Sequence, residues 1–218
     1  MRILIWFIFL LSSYLLGAIP WGYLLTRRFH HFDIRQRGSG NIGFSNVLRS
    51  TERVTALFTL LLDGAKGWAA VALLAPAAFT FLGGDLEIYQ ISAFLLVVGG
   101  HIFPVFLGFH GGKGVACGGG ALLAIAPLTF SLSLLIWILL VICFRYVSVA
   151  SLAVLLLLPA MIYGEERSPV QTAIFALIAL VIIIKHKPNL RRLLAGREYK
   201  IGEKAVSSNP DYSQSKNL

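Results

Sequence analysis

The chain has 218 residues, of which 57% are hydrophobic and 13% charged, and its mean hydropathy is +0.78. That balance fits no soluble domain of this length, so most of the chain is expected in lipid. A net charge of +9 would suit a nucleic-acid binder, but the basic residues are confined to two segments flanking apolar ones, which points to membrane orientation and away from nucleic acid.

The first apolar run covers residues 3–25 behind a single basic residue, Arg2. It looks like a signal peptide only at first glance. Gly17-Ala18-Ile19-Pro20 is a poor cleavage site and the run continues through Trp21, Tyr23, Leu24 and Leu25, so a retained first span is expected. Further apolar runs follow at 54–82, 88–107, 117–143, 147–163 and 169–184. Each is read against a hydrocarbon core of ~30 Å, which takes about 20 helical residues to cross.

The connections differ in charge. Residues 27–53 hold six arginines and residues 185–218 hold eight Lys or Arg, whereas 83–87 and 164–168 are short and mainly acidic. Excess Lys and Arg marks the cytoplasmic side, so both basic segments are expected inside and both acidic turns outside. An even number of crossings must then separate the basic segments. The 27 residues of 117–143 are too long for one crossing and too short for two full ones.

A short helical pair resolves this, turning near Pro127, with Gly118, Gly119 and Gly120 allowing close packing of its first half. The expected fold is therefore all-α and polytopic: seven transmembrane helical segments including the pair at 117–143, the N-terminus outside and the C-terminus cytoplasmic. Residues 1–196 form the expected membrane domain. Residues 197–218 form a polar tail without apolar periodicity, expected to be disordered.

Cys117 and Cys143 lie in or beside apolar stretches without metal-ligand spacing, so neither a disulfide framework nor a metal site is expected. The residues that carry chemistry lie in the inner loops. Between Arg37 and Arg49 stand three glycines, two serines and two asparagines: Gly38, Ser39, Gly40, Asn41, Gly43, Ser45 and Asn46. Glycine lets backbone N–H groups approach an oxyanion, hydroxyls and amides add directed hydrogen bonds, and arginine supplies a charged fork.

A second constellation is His110-Gly111-Gly112-Lys113-Gly114, after Gly100-His101-Ile102-Phe103-Pro104. It differs from a nucleotide-binding P-loop, because Gly114 stands where Ser or Thr is required and no strand precedes it. Glycine backbone and a lysine point charge still suit a phosphate. A glycine-rich interfacial turn whose lysine meets lipid headgroups is the simpler alternative.

Asp63 and Lys66 fall inside an apolar run, three apart on one helix face, where they either neutralise one another in support of a site or meet substrate. His101 reads equally as a buried hydrogen-bonded residue or a ligand. At the inner end of the last span, His186 and Asn189 are three apart and can position a hydroxyl and a phosphate. Tyr146, Ser148 and Ser151 add hydroxyls at another inner end.

In this order the motifs resemble the acyl-phosphate:glycerol-3-phosphate acyltransferase (PlsY) family, membrane enzymes that start bacterial phospholipid synthesis. The likeness extends over most of 14–198. It comprises the stretch from Gly17 to Tyr23, the loop from Gly38 to Gly43 with Asn46 and Arg49, Asp63 with Lys66 and Gly67, the motif from Gly100 to Pro104, the Gly-Gly-Lys-Gly at Gly111, Tyr146-Val147-Ser148, and His186 with Asn189.

The resemblance implies transfer of a fatty acyl group from acyl phosphate to the 1-hydroxyl of glycerol 3-phosphate, giving lysophosphatidic acid and inorganic phosphate. It implies no metal or other cofactor, and a location in the bacterial inner membrane with the active site facing the cytoplasm. The expected partners are the two substrates, membrane lipid and a soluble enzyme that makes acyl phosphate. By carry-over, Ser39, Lys113, His186 and Asn189 are the expected catalytic residues. Arg49, Asn41, Asn46, Gly40, Gly43, Gly111, Gly112, Gly114 and Ser148 would surround the substrates, with Asp63, Lys66 and His101 in support. The chain departs from the family pattern at Phe44, Ser45, His110 and Cys117, which flank these positions and bear on fine specificity.

Two anionic substrates need several cations to meet, and Arg49 and Lys113 supply them. The residues leave the proton acceptor open between His186 and a substrate phosphate. None of the five histidines has an Asp five positions on, which disfavours the HxxxxD acyltransferases that use coenzyme A or acyl carrier protein. A transporter or channel for a phosphorylated anion is the alternative outside enzymes. Its site would lie near mid-membrane, whereas the glycine-rich motifs here fall at the inner edge.

Overall fold

The computed structural model describes residues 1–165 and 168–204, and every regular element among them is helical. α1 (Arg2–Ala18) and α2 (Trp21–His30) replace the single span expected over 3–25, with a 43° bend between them. Pro20 is the cause: it has no N–H to continue the ladder and disfavours helical backbone at Ile19, which is extended. The segment after it, expected as a loop, carries a 3₁₀ turn over Ile34–Gln36 and the short α3 (Phe44–Ser50).

α4 (Arg53–Ala69) passes through a π turn, Ala70–Leu74, into α5 (Ala75–Leu82), together one apolar helix of 30 residues. Pro76 cannot donate to the carbonyl one turn back, and the widened turn just before it absorbs that break. α6 (Leu86–Ile102) starts at Asp85, whose carboxylate accepts from the Glu87 N–H at 2.9 Å.

The break near Pro127 falls at Ala126, between α7 (Val115–Ile125) and α8 (Pro127–Phe144). The two helices are unequal. α7 has 11 residues, but α8 has 18 and is by itself long and apolar enough to cross a membrane. α9 (Val147–Gly164) and α10 (Pro169–Lys185) follow, and α10 turns by 54° into α11 (Lys187–Leu194). By length and composition four helices qualify as spans, six when each bent pair counts as one, and α7 is the additional short apolar segment.

Backbone meets backbone where the helices cross. A Cβ on Gly17 would lie 2.1 Å from the Val97 carbonyl oxygen, and one on Gly100 would lie 2.2 Å from that of Tyr14, which brings α1 flush against α6. Gly67 meets the Cys117 carbonyl and Gly120 that of Gly64 in the same way, joining α4 to α7. Of the three glycines at 118–120, Gly120 alone makes such an approach; Gly118 and Gly119 have ordinary contacts. Large apolar side chains such as Leu61, Leu135, Ile142 and Leu156 cover the outside, as lipid contact requires.

Between these crossings lies a buried ionic group. Lys66 Nζ stands 2.9 Å from Asp63 Oδ1 and donates to the Ile19 carbonyl at 2.7 Å, at the α1–α2 break. His101 Nδ1 is 3.5 Å from the same carboxylate oxygen. The group ties α4 to α6 and to the bend beside α2.

Candidate active site

The loop from Arg37 to Gly43 is organised by its own amides. Asn46 is buried; its Nδ2 donates to the carbonyls of Arg37 at 2.9 Å and Asn41 at 2.8 Å, while its Oδ1 accepts the Ser39 N–H at 2.9 Å. Asn41 Oδ1 accepts the Gly43 N–H at 2.9 Å, just before α3 begins. Both asparagines were expected around substrate, but the structure commits these groups to holding the loop. Gly38 and Gly40 turn it with φ of 55° and 71°. The Ser39 hydroxyl bonds to no described residue.

The glycine backbone is likewise occupied. The Gly40 N–H donates to the Arg37 carbonyl at 3.0 Å, and those of Gly111 and Gly112 to Ile102 and His101 at 3.2 and 3.1 Å. With Gly43 capped by Asn41, four of the five glycines expected to cradle phosphate have no free amide to offer. Their role is close approach: a Cβ on Gly111 would lie 2.2 Å from the His101 carbonyl oxygen, and one on Gly112 would lie 2.0 Å from His101 Nε2. The buried Asp63, Lys66 and His101 group therefore stands beneath the glycine loop. Gly114, with φ 98°, ends the loop and caps α7, whose first-turn amides lack helical partners.

The folded loop delivers Lys113 to α11. Its Nζ donates to Asn189 Oδ1 at 2.5 Å, and Asn189 Nδ2 donates to Glu198 Oε1 at 2.6 Å. Ser148 Oγ donates to the same oxygen at 2.9 Å, and Arg192 Nε donates to Glu198 Oε2 at 2.7 Å. Arg49 reaches in from α3, its guanidinium 4.7 Å from the centre of the Tyr199 ring, with Arg192 5.7 Å from that centre. Arg49 Nε is buried and bonded to no described residue, a position an anion would satisfy.

Around Lys113 the cations Arg49 and Arg192 face one carboxylate, Glu198. Burial pushes the Lys113 ammonium down to about 8, with Glu198 holding it up and the two arginines pressing it further down. Burial also lowers Arg49, against the opposing pull of Glu198. At neutral pH the cluster retains an excess of positive charge.

His186 caps α10, and its Nδ1 lies 2.8 Å from the Ile182 carbonyl. A carbonyl only accepts, so Nδ1 carries the proton, and in the neutral form of the ring Nε2 is then a bare lone pair. Lys113 is within electrostatic reach of this ring.

Lys113, Asn189, Ser148, His186 and Arg49, expected from four separate stretches, thus meet, and Ser39 lies on the loop leading into the Arg49 helix. Sequence reasoning missed Glu198, Arg192 and Tyr199. A signal was present in Glu198, the lone acid within the basic stretch 185–200. Residues 197–204 were assigned to a disordered tail, but they lie against the bundle, because a carboxylate is drawn to these cations. The Ile201 N–H also donates to the Arg145 carbonyl at 2.7 Å. The rest of that tail, 205–218, lies outside the described residues.

Such a site can seat a phosphate among side-chain cations with a hydroxyl beside an unprotonated imidazole nitrogen. Among the described residues no three His, Cys, Asp or Glu are gathered as a metal would need.

The family described as glycerol-3-phosphate acyltransferase matches residues 7–196. A relative of that name in Mesorhizobium japonicum is 42% identical over 89% of this chain and 95% of its own length. Another, glycerol-3-phosphate acyltransferase 2 of Moorella thermoacetica, is 41% identical over 92% of this chain and all of its own. Among solved structures, PlsY, an integral membrane glycerol 3-phosphate acyltransferase, superposes in its glycerol 3-phosphate form with a TM-score of 0.79. It is 32% identical, over 90% of this chain and 95% of the other. Its lysophosphatidic acid form gives 0.76 at 31% identity.

Proposed function

This chain belongs to the glycerol-3-phosphate acyltransferase family, and from that premise we propose the particulars of its reaction: acyl phosphate as donor, the 1-hydroxyl of glycerol 3-phosphate as acceptor, and the Lys113–Asn189 cluster as the site. It is a membrane acyltransferase that makes lysophosphatidic acid. The rival reading as an anion transporter finds no support among its relatives.

The observation that carries the site is the convergence of Lys113, Arg49 and Arg192 around the Glu198 carboxylate, with Arg49 Nε bonded to no described residue. Those cations offset the repulsion between a phosphate monoester and an acyl phosphate, letting the hydroxyl and the acyl carbon approach. The hydroxyl oxygen bonds to the acyl carbon, the bond from that carbon to the phosphate oxygen breaks, and inorganic phosphate leaves. Cations and hydrogen-bond donors would stabilise the intervening oxyanion. The bond from His186 to Ile182, which frees Nε2, supports His186 as the acceptor of the hydroxyl proton. Ser39, whose hydroxyl bonds to no described residue, would contact substrate.

The site would face the cytoplasm across a bacterial inner membrane, with the N-terminus outside. The arginines of 27–53 and the basic residues of 185–204, against the acidic turn at 83–87, support that orientation. Labelling a cysteine introduced at Ser148, in a background without Cys117 and Cys143, tests it; modification from the outside alone would reverse the orientation. A soluble enzyme that makes acyl phosphate is the expected supplier of donor.

The donor is tested by offering acyl phosphate, acyl-coenzyme A and acyl carrier protein separately to the purified protein with radiolabelled glycerol 3-phosphate. Labelled lysophosphatidic acid should form with acyl phosphate alone. Product from either thioester at a comparable rate would overturn the donor assignment.

A further inference from the structure

We propose that Glu198 is a positioning residue of the active site: its carboxylate aims the Asn189 amide at Lys113, clamps Arg192, and so makes the segment Arg197 to Lys204 part of the catalytic structure. The inference rests on the reading that Lys113 and Asn189 hold substrate phosphate.

Three donors converge on this carboxylate: Asn189 Nδ2 and Ser148 Oγ on one oxygen, Arg192 Nε on the other. Its side chain is 5% exposed, so these bonds are largely shielded from water. The chemistry of the chain Lys113, Asn189, Glu198 permits only one arrangement. An ammonium only donates and an ionised carboxylate only accepts. The amide between them must therefore present Oδ1 to Lys113 and Nδ2 to Glu198. The flipped amide would set NH₂ against ammonium and oxygen against carboxylate. Glu198 thus fixes the Asn189 orientation without touching Lys113 through a hydrogen bond of its own.

The segment carrying Glu198 is fastened on both sides. Arg145 and Ile201 exchange bonds, the Ile201 N–H donating to the Arg145 carbonyl at 2.7 Å and Arg145 Nη2 donating to the Ile201 carbonyl at 3.3 Å. Tyr199 carries Arg49 and Arg192 against its ring. A negative charge at Glu198 also favours the protonated state of Lys113 against Arg49 and Arg192.

The test is Glu198→Gln in the full chain, assayed across pH with acyl phosphate and glycerol 3-phosphate. Gln keeps an acceptor for Asn189 and Ser148 but has no charge, and its NH₂ group meets Arg192. The expected result is kcat reduced about 10-fold or more, with the alkaline loss of activity moved down by ~1 pH unit. A merely structural role would lower the amount of active enzyme without moving that limb. An unchanged kcat and an unmoved limb would overturn the proposal. Should the Gln variant not fold, Glu198→Asp decides: with its charge kept but its reach shortened, it should show a lower kcat and a limb near that of the unaltered protein, and an unaltered kcat would count against the proposal. Lys113→Ala run in parallel separates the two readings. If that variant stays active, the site assignment itself fails; if it is inactive while Glu198→Gln behaves as the unaltered protein, only the role of Glu198 fails.

Discussion

Lys113 Nζ stands 2.5 Å from Asn189 Oδ1, joining residues 76 positions apart in the chain. The contact exists because two local structures are arranged for it. Gly111 and Gly112 let their loop fold onto the end of α6, and Pro188, in the first turn of α11, suits the start of a helix that turns sharply away from α10. A flexible lysine is thereby held at one place.

Asn189→Ala removes that acceptor while leaving Lys113 buried. A hydrogen bond to a charged group contributes about 1.5–3 kcal/mol, so kcat/KM for glycerol 3-phosphate should fall roughly 10- to 100-fold. Steady-state kinetics with acyl phosphate read this directly. A change below twofold would remove Asn189 from the site.

The pH profile follows from Lys113. Burial depresses its pKa to about 8, so the ammonium predominates below that pH and is lost above it. Activity that needs the cation should fall as pH rises through about 8. In Lys113→Arg the group stays protonated across this range, and residual activity should be flat where the unaltered protein declines. A decline in both at the same pH would assign the limb to another group.

How much of this could be read beforehand depended on range. Apolar run lengths disclosed the helical membrane fold, and Pro127 disclosed the break between α7 and α8, because both are local effects of hydrophobicity and a missing N–H. Arg49, Lys113, Ser148, His186 and Asn189 were legible as residue types suited to phosphate, on segments of matching charge. Whether a glycine amide is free was not legible. Gly40, Gly43, Gly111 and Gly112 have the composition of an anion cradle, yet their N–H groups are bonded within the protein. The pattern of glycines is the same for a cradle and for a tight backbone approach, and only the fold separates them. Glu198 was obscured by its polar surroundings, since its partners lie on α9 and α11 and its burial depends on the whole cluster.

The α4–α7 contact gives a stability test. A Cβ on Gly120 would stand 1.9 Å from the Gly64 carbonyl oxygen, whereas one on Gly119 would stand 3.6 Å from the nearest atom, on the Phe130 ring. Overpacking costs typically about 1–3 kcal/mol. Thermal unfolding in detergent should show Gly120→Ala clearly destabilised and Gly119→Ala close to the unaltered protein. Equal melting temperatures would contradict this packing.

Asp63→Asn leaves the Lys66 ammonium buried without its counter-charge. Breaking such a pair costs about 3–5 kcal/mol, whereas replacing both partners can be far milder. The single variant should therefore unfold at lower temperature than the double variant Asp63→Asn with Lys66→Met. The reverse order would show that the ion pair is not what neutralises Lys66.

If cations at one end of the helical bundle bring two anionic substrates together, Lys113→Ala removes the one that Asn189 holds in place. With insertion and folding verified by thermal unfolding in detergent, acyl transfer from acyl phosphate to glycerol 3-phosphate should drop at least about 100-fold, the scale on which loss of one charge-stabilising group acts. Activity within a few-fold of the unaltered protein would show that the Lys113 charge does not bring the substrates together.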